Sequence, residues 1–256
     1  MLTKIKSFTV DSLSVEVYPS ASVLAENVAK VVQVYLRSLL ERHGKARILL
    51  ATGSSQIEFL NILIGLGEID WSKITCFHLD EYLGISADHP ASFRRYMREK
   101  VERRINLEKF HYIEGDAEEP FQQSDRYSKL LKSQPIDLCC LGLGENGHLG
   151  FNDPSVANFE DTYDVKLVKL DDINRQQQVK QGNFPDIEKV PQYAFTVTLP
   201  MICRAEKIIC LAPETRKAKV VKQMLQGEIT TKCPATILRK QPQASLFLDI
   251  DSASLL

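Results

Sequence analysis

Short runs of apolar residues alternate with helical patterns along almost the whole chain, and this alternation constrains the fold more than any other feature. Runs that are apolar throughout, rather than at every second residue, are typical of strands buried on both faces of a sheet. Strands that alternate with helices form mainly parallel sheets with right-handed crossovers. The sequence therefore predicts an α/β fold: a doubly wound, mainly parallel sheet flanked by helices (Rossmann-like), in a single domain over residues 1–256.

The predicted elements follow from the spacing of the apolar residues. Predicted strands lie at residues 47–51, 74–79, near 110, 136–143, 193–199, 207–211 and 244–249, and a strand-like segment begins near residue 8. Predicted helices lie at residues 20–42, 56–66, 92–104, 122–132 and 216–226. The stretch between residues 143 and 193 has no regular pattern and is expected to be irregular.

Charge and composition exclude several classes of protein. The chain has 32 Lys and Arg residues against 33 Asp and Glu residues, whereas nucleic-acid-binding proteins usually carry a basic excess. We expect no membrane span, because no stretch of about 18 apolar residues occurs, and residues 1–8 lack the pattern of a secretory signal. The six cysteines lie mostly in or beside apolar runs and form no Cys-x-x-Cys pair. This pattern indicates buried thiols in a reduced, cytoplasmic protein.

The loop after the predicted strand at 47–51 is rich in small residues. In open α/β sheets the ligand lies at the carboxyl ends of the strands, so this loop is a candidate site. Thr52, Gly53, Ser54 and Ser55 precede a predicted helix, whose first N–H groups and dipole favour an anion such as phosphate. The loop lacks the lysine of a Walker A motif. The alternative is an ordinary turn in which a serine caps the helix.

Two adjacent carboxylates, Asp80 and Glu81, follow the predicted strand at 74–79. Carboxylates at the end of an apolar strand are costly to desolvate, which raises their pKa towards values useful for a general base. Two alternatives stay open. One carboxylate caps the next segment, or both join His78 and His89 in a metal site.

A glycine-rich loop follows the predicted strand at 136–143. Gly142, Gly144 and Gly147 match Gly-x-Gly-x-x-Gly, the dinucleotide-binding pattern, but that pattern requires a helix to begin in the loop. Gly150 and Pro154 break any helix there, so we interpret the match as fortuitous. A flexible backbone wrapped around a polar ligand explains these glycines better.

The same loop carries a candidate proton-transfer group. His148 lies near Glu145, Asn146 and Asp153 in the sequence, and an imidazole oriented by a carboxylate transfers protons near neutral pH. A structural histidine is the alternative. In the loop after the predicted strand at 207–211, Lys217 lies in the first turn of a predicted helix, where a cation opposes the dipole unless an anion binds. The alternative there is a solvated lysine.

Five segments stand out together: Ala51-Thr-Gly-Ser-Ser55, Phe77-His-Leu-Asp-Glu-Tyr-Leu-Gly84, Gly144-Glu-Asn-Gly-His-Leu-Gly-Phe-Asn-Asp-Pro154, Val190-Pro-Gln-Tyr-Ala194 and Arg216-Lys-Ala218. In this order they resemble the signatures of the glucosamine-6-phosphate deaminase/isomerase family, over about residues 45–250. The related 6-phosphogluconolactonases typically show Asp-Glu-Arg in place of Asp-Glu-Tyr and Gly-His-Thr-Ala in the later loop. Tyr82 and Phe151-Asn152 therefore favour the deaminase branch.

The resemblance implies that an amino-sugar 6-phosphate becomes a ketose 6-phosphate plus ammonia, with no metal or organic cofactor. It implies that Asp80 moves a proton between C1 and C2, and that His148 opens the pyranose ring with Asp153 and Asn146 beside it. Family members form monomers or hexamers, so a homo-oligomer is one expected state. The residues expected to bind the substrate or its phosphate are Thr52, Gly53, Ser54, Ser55, Glu81, Lys217 and Arg175.

The sequence departs from the family pattern at two positions, since many deaminases carry Asp where Asn146 stands and Glu where Asp153 stands. The phosphate-binding arginine expected before Val190 has no clear match, and Arg175 is the candidate. These departures keep galactosamine 6-phosphate as a rival to glucosamine 6-phosphate. Two other functions remain as alternatives: a 6-phosphogluconolactonase-type hydrolase, and a sensor that binds the sugar phosphate without turnover.

Overall fold

A mainly parallel sheet forms the centre of the computed structural model, which describes residues 4–256. Residues 1–3 lie outside this range. They belong to the predicted domain and to the segment that was assessed for a secretory signal. The strands are β1 (Lys6–Val10), β2 (Leu13–Tyr18), β3 (Ala46–Leu50), β4 (Ile74–His78), β5 (Asp80–Tyr82), β6 (Lys109–His111), β7 (Leu138–Gly142), β8 (Val165–Lys169), β9 (Tyr193–Val197), β10 (Ile208–Leu211) and β11 (Ala244–Asp249). The main sheet has the order β1-β2-β11-β10-β7-β3-β4-β6, and β1 pairs antiparallel with β2 while the other neighbours are parallel.

Helices cover both faces of this sheet. They are α1 (Ala21–His43), α2 (Ser54–Gly65), α3 (Phe93–Lys100), α4 (Pro120–Lys132), α5 (Asp172–Lys180), α6 (Leu199–Cys203) and α7 (Ala218–Gln226). Successive strand residues face opposite sides, so in β3 Ile48 and Leu50 pack with α1 and α2, while Leu49 packs in the core that contains α4 and α7. Burial on both faces explains why the strands are apolar throughout, and the doubly wound fold predicted from the sequence is confirmed.

A second, antiparallel sheet was not predicted. After β4 the chain turns at Leu79 and continues as β5, which pairs with β9, and β9 pairs with β8. The strand predicted at residues 193–199 is therefore confirmed as β9. It ends earlier than predicted, at Val197, and it belongs to the second sheet. The expectation of an irregular stretch between 143 and 193 is wrong for β8 and α5. The sequence of α5 is mostly Asn, Gln, Asp and Lys, so it has no apolar stripe to reveal a helix.

Two predicted helices differ at their ends. The predicted helix at 92–104 ends as α3 at Lys100 and is followed by a separate 3-10 turn, Glu102–Arg104. The predicted helix at 216–226 begins with a 3-10 turn, Thr215–Lys217, before α7. Within residues 4–256 all six cysteines are free thiols, and no helix combines the length and apolarity needed to cross a membrane.

The strand order brings the candidate loops together. β10, β7, β3 and β4 are neighbours in the parallel part of the sheet, so their carboxyl ends lie at one edge. The loops that leave this edge contain residues 51–53, 79, 143–164 and 212–214, and most of the polar residues singled out in the sequence lie in these loops or within three residues after them. No helix begins in the glycine-rich loop after β7, which confirms that the dinucleotide pattern is fortuitous.

Candidate active site

A cavity of about 510 Å³ opens where these loops meet α5 and the start of α3. Residues from all four loops line it: Thr52, Gly53, Ser54, Ser55, Asp80, His148, Arg216 and Lys217. The cavity also has an apolar wall of Phe93, Tyr96 and Phe151, and a polar wall of side chains from α5 and the loop that follows it. The structure therefore brings together most of the residues selected from the sequence.

One end of the cavity is the start of α2. Gly53 is the N-cap residue, with φ of 112°, a backbone conformation that favours glycine, and no side chain caps this helix. The serine-cap alternative is therefore wrong. Ser54 and Ser55 lie in the first turn, where N–H groups have no partner within the helix. This end of the cavity offers N–H groups and hydroxyls to an anion.

Lys217 lies at the same end and is 5% exposed. Burial, and to a lesser extent the neighbouring Arg216, lower its pKa to about 8 against the opposing effect of Glu145 and Glu214. The alternative of a solvated lysine is wrong, because the side chain is buried and lines the cavity. A buried ammonium group facing a cavity gains most from an anionic ligand.

Arg216 is a cavity residue that the sequence reasoning did not assign to the site. Its guanidinium donates to Ser54 Oγ at 2.7 Å and pairs with Glu145 at 3.0 Å and Glu214 at 2.6 Å. The backbone N–H of Glu214, a residue with φ of 82°, donates to both carboxylate oxygens of Asp249 at 3.2 and 3.1 Å. A strained turn anchored on the end of β11 thus presents Arg216 to the cavity.

Asp80 is the first residue of β5, is 6% exposed, and lines the cavity. Within residues 4–256 its Oδ1 has no hydrogen-bond partner. Burial raises the pKa of the Asp80 carboxyl well above its usual value, and the charges of Glu81 and Asp153 raise it further. A buried carboxylate without a compensating donor is a strong base, which suits proton abstraction from a ligand.

His148 is held by two acceptors. Its Nδ1 lies 2.8 Å from Asn146 Oδ1 and 3.1 Å from Asp153 Oδ1. Because both oxygens accept, the ring proton belongs on Nδ1, and Nε2 is the nitrogen left to exchange a proton with a ligand. Burial opposes ionisation of the fully buried Asp153, but hydrogen bonds from His148, Asn174 and Asn146 outweigh it and lower the pKa of this carboxyl.

The glycine-rich loop makes room for these groups. A Cβ at Gly144 would lie 2.4 Å from the His148 ring, and one at Gly150 would lie 3.4 Å from Asp80 Oδ2. The loop is fixed to β9 by Asn152, whose Nδ2 donates to Val197 O at 2.9 Å. Because β9 also pairs with β5, this contact holds the loop of His148 beside the strand that carries Asp80.

Glu81 points away from the cavity. Its carboxylate accepts hydrogen bonds from Ser92 Oγ at 2.8 Å, Arg94 N at 2.9 Å and Phe93 N at 3.1 Å, at the start of α3. Successive residues of a strand face opposite sides, so Asp80 and Glu81 cannot both line one cavity. The structure therefore corrects the expectation that Glu81 binds substrate and supports the capping alternative for this residue.

Arg175 is also outside the cavity. Its guanidinium donates to Ile187 O at 2.6 Å and Val190 O at 3.2 Å, and pairs with Asp172 at 3.1 Å. The cavity-lining residues of this segment, Asn174, Gln177, Gln178 and Gln181, recur at helical spacing on the opposite face of α5. Arg175 therefore secures the helix to the following turn, and the structure corrects its placement on the phosphate.

Neither histidine near the carboxylates is arranged for a metal. His78 is buried, its Nε2 accepts from Ile113 N at 2.8 Å, and burial lowers its pKa to about 3. His89 Nδ1 accepts from Ala91 N at 3.1 Å. Within residues 4–256, no group of three or more His, Cys, Asp or Glu side chains could hold a metal ion.

Sequence reasoning also missed the amide wall of α5, because the segment has no apolar stripe to indicate a helix. Tyr82, part of the Asp-Glu-Tyr motif, is fully buried among Phe93, Phe151 and Phe184 and supports the apolar wall.

Comparisons with known proteins identify a family. Residues 19–247 match the model of the family described as glucosamine-6-phosphate isomerases/6-phosphogluconolactonase. A glucosamine-6-phosphate deaminase of Exiguobacterium sibiricum is 34% identical over 239 residues, 91% of this chain and 90% of the relative. One of Clostridium perfringens is 36% identical over 238 residues, 90% of this chain and 96% of the relative.

Solved structures show the same fold. A monomeric glucosamine-6-phosphate deaminase superposes with a TM-score of 0.87 and 28% identity, over 94% of this chain and 99% of that chain. A 6-phosphogluconolactonase from Shewanella baltica has a TM-score of 0.75 at 20% identity, over 96% of this chain and 100% of that chain, and shows the shared fold alone. The family resemblance read from the motifs is confirmed: the chain belongs to the glucosamine-6-phosphate isomerase/6-phosphogluconolactonase family.

Proposed function

We propose that the protein converts an amino-sugar 6-phosphate, glucosamine 6-phosphate or its galactosamine epimer, to the ketose 6-phosphate and ammonia. One observation carries this proposal: the buried Asp80 carboxylate and His148 line one cavity, whose other end is the glycine-capped start of α2 beside the buried Lys217. The relatives named as glucosamine-6-phosphate deaminases support the same substrate class.

The phosphate binds at the start of α2. The N–H groups of the first turn and the hydroxyls of Thr52, Ser54 and Ser55 donate to its oxygens, and Lys217 and Arg216 supply positive charge. Binding energy from the phosphate orients the reacting carbons, which lie at the other end of the sugar.

Ring opening comes first, because the cyclic sugar hides the carbonyl that makes the C2 proton acidic. His148 Nε2 takes the proton of the anomeric hydroxyl and delivers one to the ring oxygen as the C1–O5 bond breaks. Asp153 and Asn146 hold the Nδ1 side of the ring, so that the imidazolium formed in this exchange is stabilised.

Proton transfer between the carbons follows. The Asp80 carboxylate takes the C2 proton of the open-chain aldehyde while a proton of the ammonium group moves to O1, which gives an enolamine. Asp80 then returns its proton at C1, which leaves a protonated imine at C2. Water adds to this carbon and ammonia departs, giving the ketose 6-phosphate. Each positioned acid or base in such a scheme contributes about 10²–10⁴-fold to the rate.

The test is incubation of the protein with glucosamine 6-phosphate, galactosamine 6-phosphate and 6-phosphogluconolactone. We expect ammonium and a ketose 6-phosphate in equal amounts from one or both amino sugars, and their loss in Asp80→Asn. Lactone hydrolysis without ammonium release would instead favour the 6-phosphogluconolactonase alternative. Thermal stabilisation by the amino-sugar phosphates with no product would favour the sensor.

We also infer a cytoplasmic setting and a small-molecule ligand. Five of the six cysteines are buried free thiols, which suits a reducing compartment. The net charge of −1 supports a sugar phosphate rather than a nucleic acid as the ligand.

A further inference from the structure

Asn174 connects α5 to the histidine. It lies in the first turn of the helix, where its backbone N–H donates to the N-cap Asp171 at 2.7 Å, and its side chain is 1% exposed. Its Nδ2 donates to both carboxylate oxygens of Asp153, at 3.0 Å to Oδ1 and 3.1 Å to Oδ2. A donor shared between the two oxygens resists rotation of the carboxylate about its Cβ–Cγ bond.

This restraint matters because Asp153 Oδ1 is also the oxygen that faces His148 Nδ1, at 3.1 Å. Asn146 Nδ2 donates to the same oxygen at 3.1 Å. Asp153 is completely buried, so its charge depends on these donors. Without Asn174, Oδ2 loses its donor from α5, and only Asn146 and His148 still hold Oδ1.

The amide oxygen of Asn174 is available to a bound ligand. Asn174 lines the cavity, and within residues 4–256 its Oδ1 has no hydrogen-bond partner although it is buried. A buried carbonyl oxygen without a donor destabilises the protein until a donor reaches it. A hydroxyl or amino group of a bound sugar would supply that donor.

We propose that Asn174 is a positioning residue for ring opening: its amide N–H group fixes the carboxylate that orients His148, and its amide oxygen accepts a hydrogen bond from the sugar. This inference rests on the proposed function. It also accounts for a departure noted in the sequence, because a shorter Asp at position 153 in place of Glu needs a partner that fixes both of its oxygens.

The experiment is a double-mutant cycle that compares Asn174→Ala in two backgrounds, wild type and His148→Asn. Ammonium release from the active amino-sugar phosphate is measured together with the melting temperature. If Asn174 acts through His148, Asn174→Ala should lower kcat about 10–100-fold in the wild type and have almost no further effect in His148→Asn. Asn174→Asp keeps the side-chain volume but replaces the donor with an acceptor, and it should lower kcat at least as much.

Two controls separate this role from simple support of the helix. Gln176→Ala removes an exposed amide of α5 that does not line the cavity, and it should leave kcat and KM unchanged. The second control is the affinity of Asn174→Ala for 2-amino-2-deoxyglucitol 6-phosphate, which is already open-chain. This affinity should fall by no more than about tenfold, the effect of losing one hydrogen bond. Additive effects of Asn174→Ala and His148→Asn would overturn the inference while leaving the proposed function intact. A wild type that releases no ammonium from either epimer would overturn both.

Discussion

Arg216 donates a 2.7 Å hydrogen bond from Nη2 to Ser54 Oγ, and so joins the loop after β10 to the start of α2 at one end of the cavity. Its other partners, Glu145 and Glu214, are partly exposed carboxylates, so a bound phosphate dianion competes with them for the guanidinium. Arg216, rather than Arg175, therefore lies where a second phosphate-binding cation is needed.

Arg216→Ala should raise KM for the phosphorylated sugar about tenfold or more and change kcat little, because a charge-assisted hydrogen bond to the phosphate is lost. The matched control is Lys219→Ala, an exposed cation close by that does not line the cavity. Steady-state kinetics of both variants check the prediction, and equal KM values for Arg216→Ala and wild type would contradict it.

Lys217 should produce an alkaline decline in kcat/KM. Burial lowers its pKa to about 8, so the ammonium form that binds phosphate is present below this pH and is lost as the pH rises through it. Because kcat/KM reports the free enzyme, it should fall above about pH 8. In Lys217→Met the value should be lower below pH 8 and this decline should disappear. A profile with an unchanged alkaline limb in the variant would assign the limb to another group.

Asp80 and Glu81 are adjacent in sequence, but we expect their substitutions to affect different properties, activity for Asp80 and stability for Glu81. Glu81→Gln should lower the free energy of unfolding by about 1–3 kcal/mol, because a buried carboxylate that accepts from three groups at the start of α3 loses its charge. Asp80→Asn should retain most of its stability and lose ammonium release. Chemical denaturation and kinetics of both variants check this, and loss of activity without loss of stability in Glu81→Gln would place Glu81 in the chemistry.

Gly144 should be intolerant of a side chain for reasons of space alone. A Cβ there would lie 2.4 Å from the His148 ring, so Gly144→Ala should displace the imidazole and lower kcat. The control is Gly65→Ala at the end of α2, where a Cβ meets nothing within 4 Å. Activity per folded molecule is the measurement. Wild-type kcat in Gly144→Ala would mean that the position of His148 is not critical.

The sequence was sufficient for the parallel strands from β3 to β11 in the main sheet and for the loops at its edge, but it showed one strand-like segment where β1 and β2 form an antiparallel pair. The parallel strands are apolar on both faces, and each polar loop directly follows such a strand, so Asp80, His148 and Lys217 could be placed at one edge before any coordinates. The second sheet could not be predicted, because nothing local to residues 80–82 or 193–197 shows that they pair with each other rather than with the main sheet.

The remaining errors concern side-chain direction and polar helices. Asp80 and Glu81 are equivalent in type, and only the pairing of β5 decides which one faces the cavity. Arg175 and Asn174 are adjacent in a segment without an apolar stripe, so its helix, and therefore the face each residue occupies, was not visible. Arg216 is adjacent to Lys217, and the sequence alone does not show that both side chains line the cavity.

Asp80 and His148 are both expected to act on one bound phosphosugar. A crystal structure of the protein with 2-amino-2-deoxyglucitol 6-phosphate would show whether a single ligand reaches both side chains. We expect the phosphate at Thr52–Ser55 with Lys217, C1 and C2 within reach of an Asp80 carboxylate oxygen, and O5 within hydrogen-bond distance of His148 Nε2. A phosphate bound elsewhere, or a ligand that contacts one of the two side chains but leaves the other facing solvent, would contradict the account.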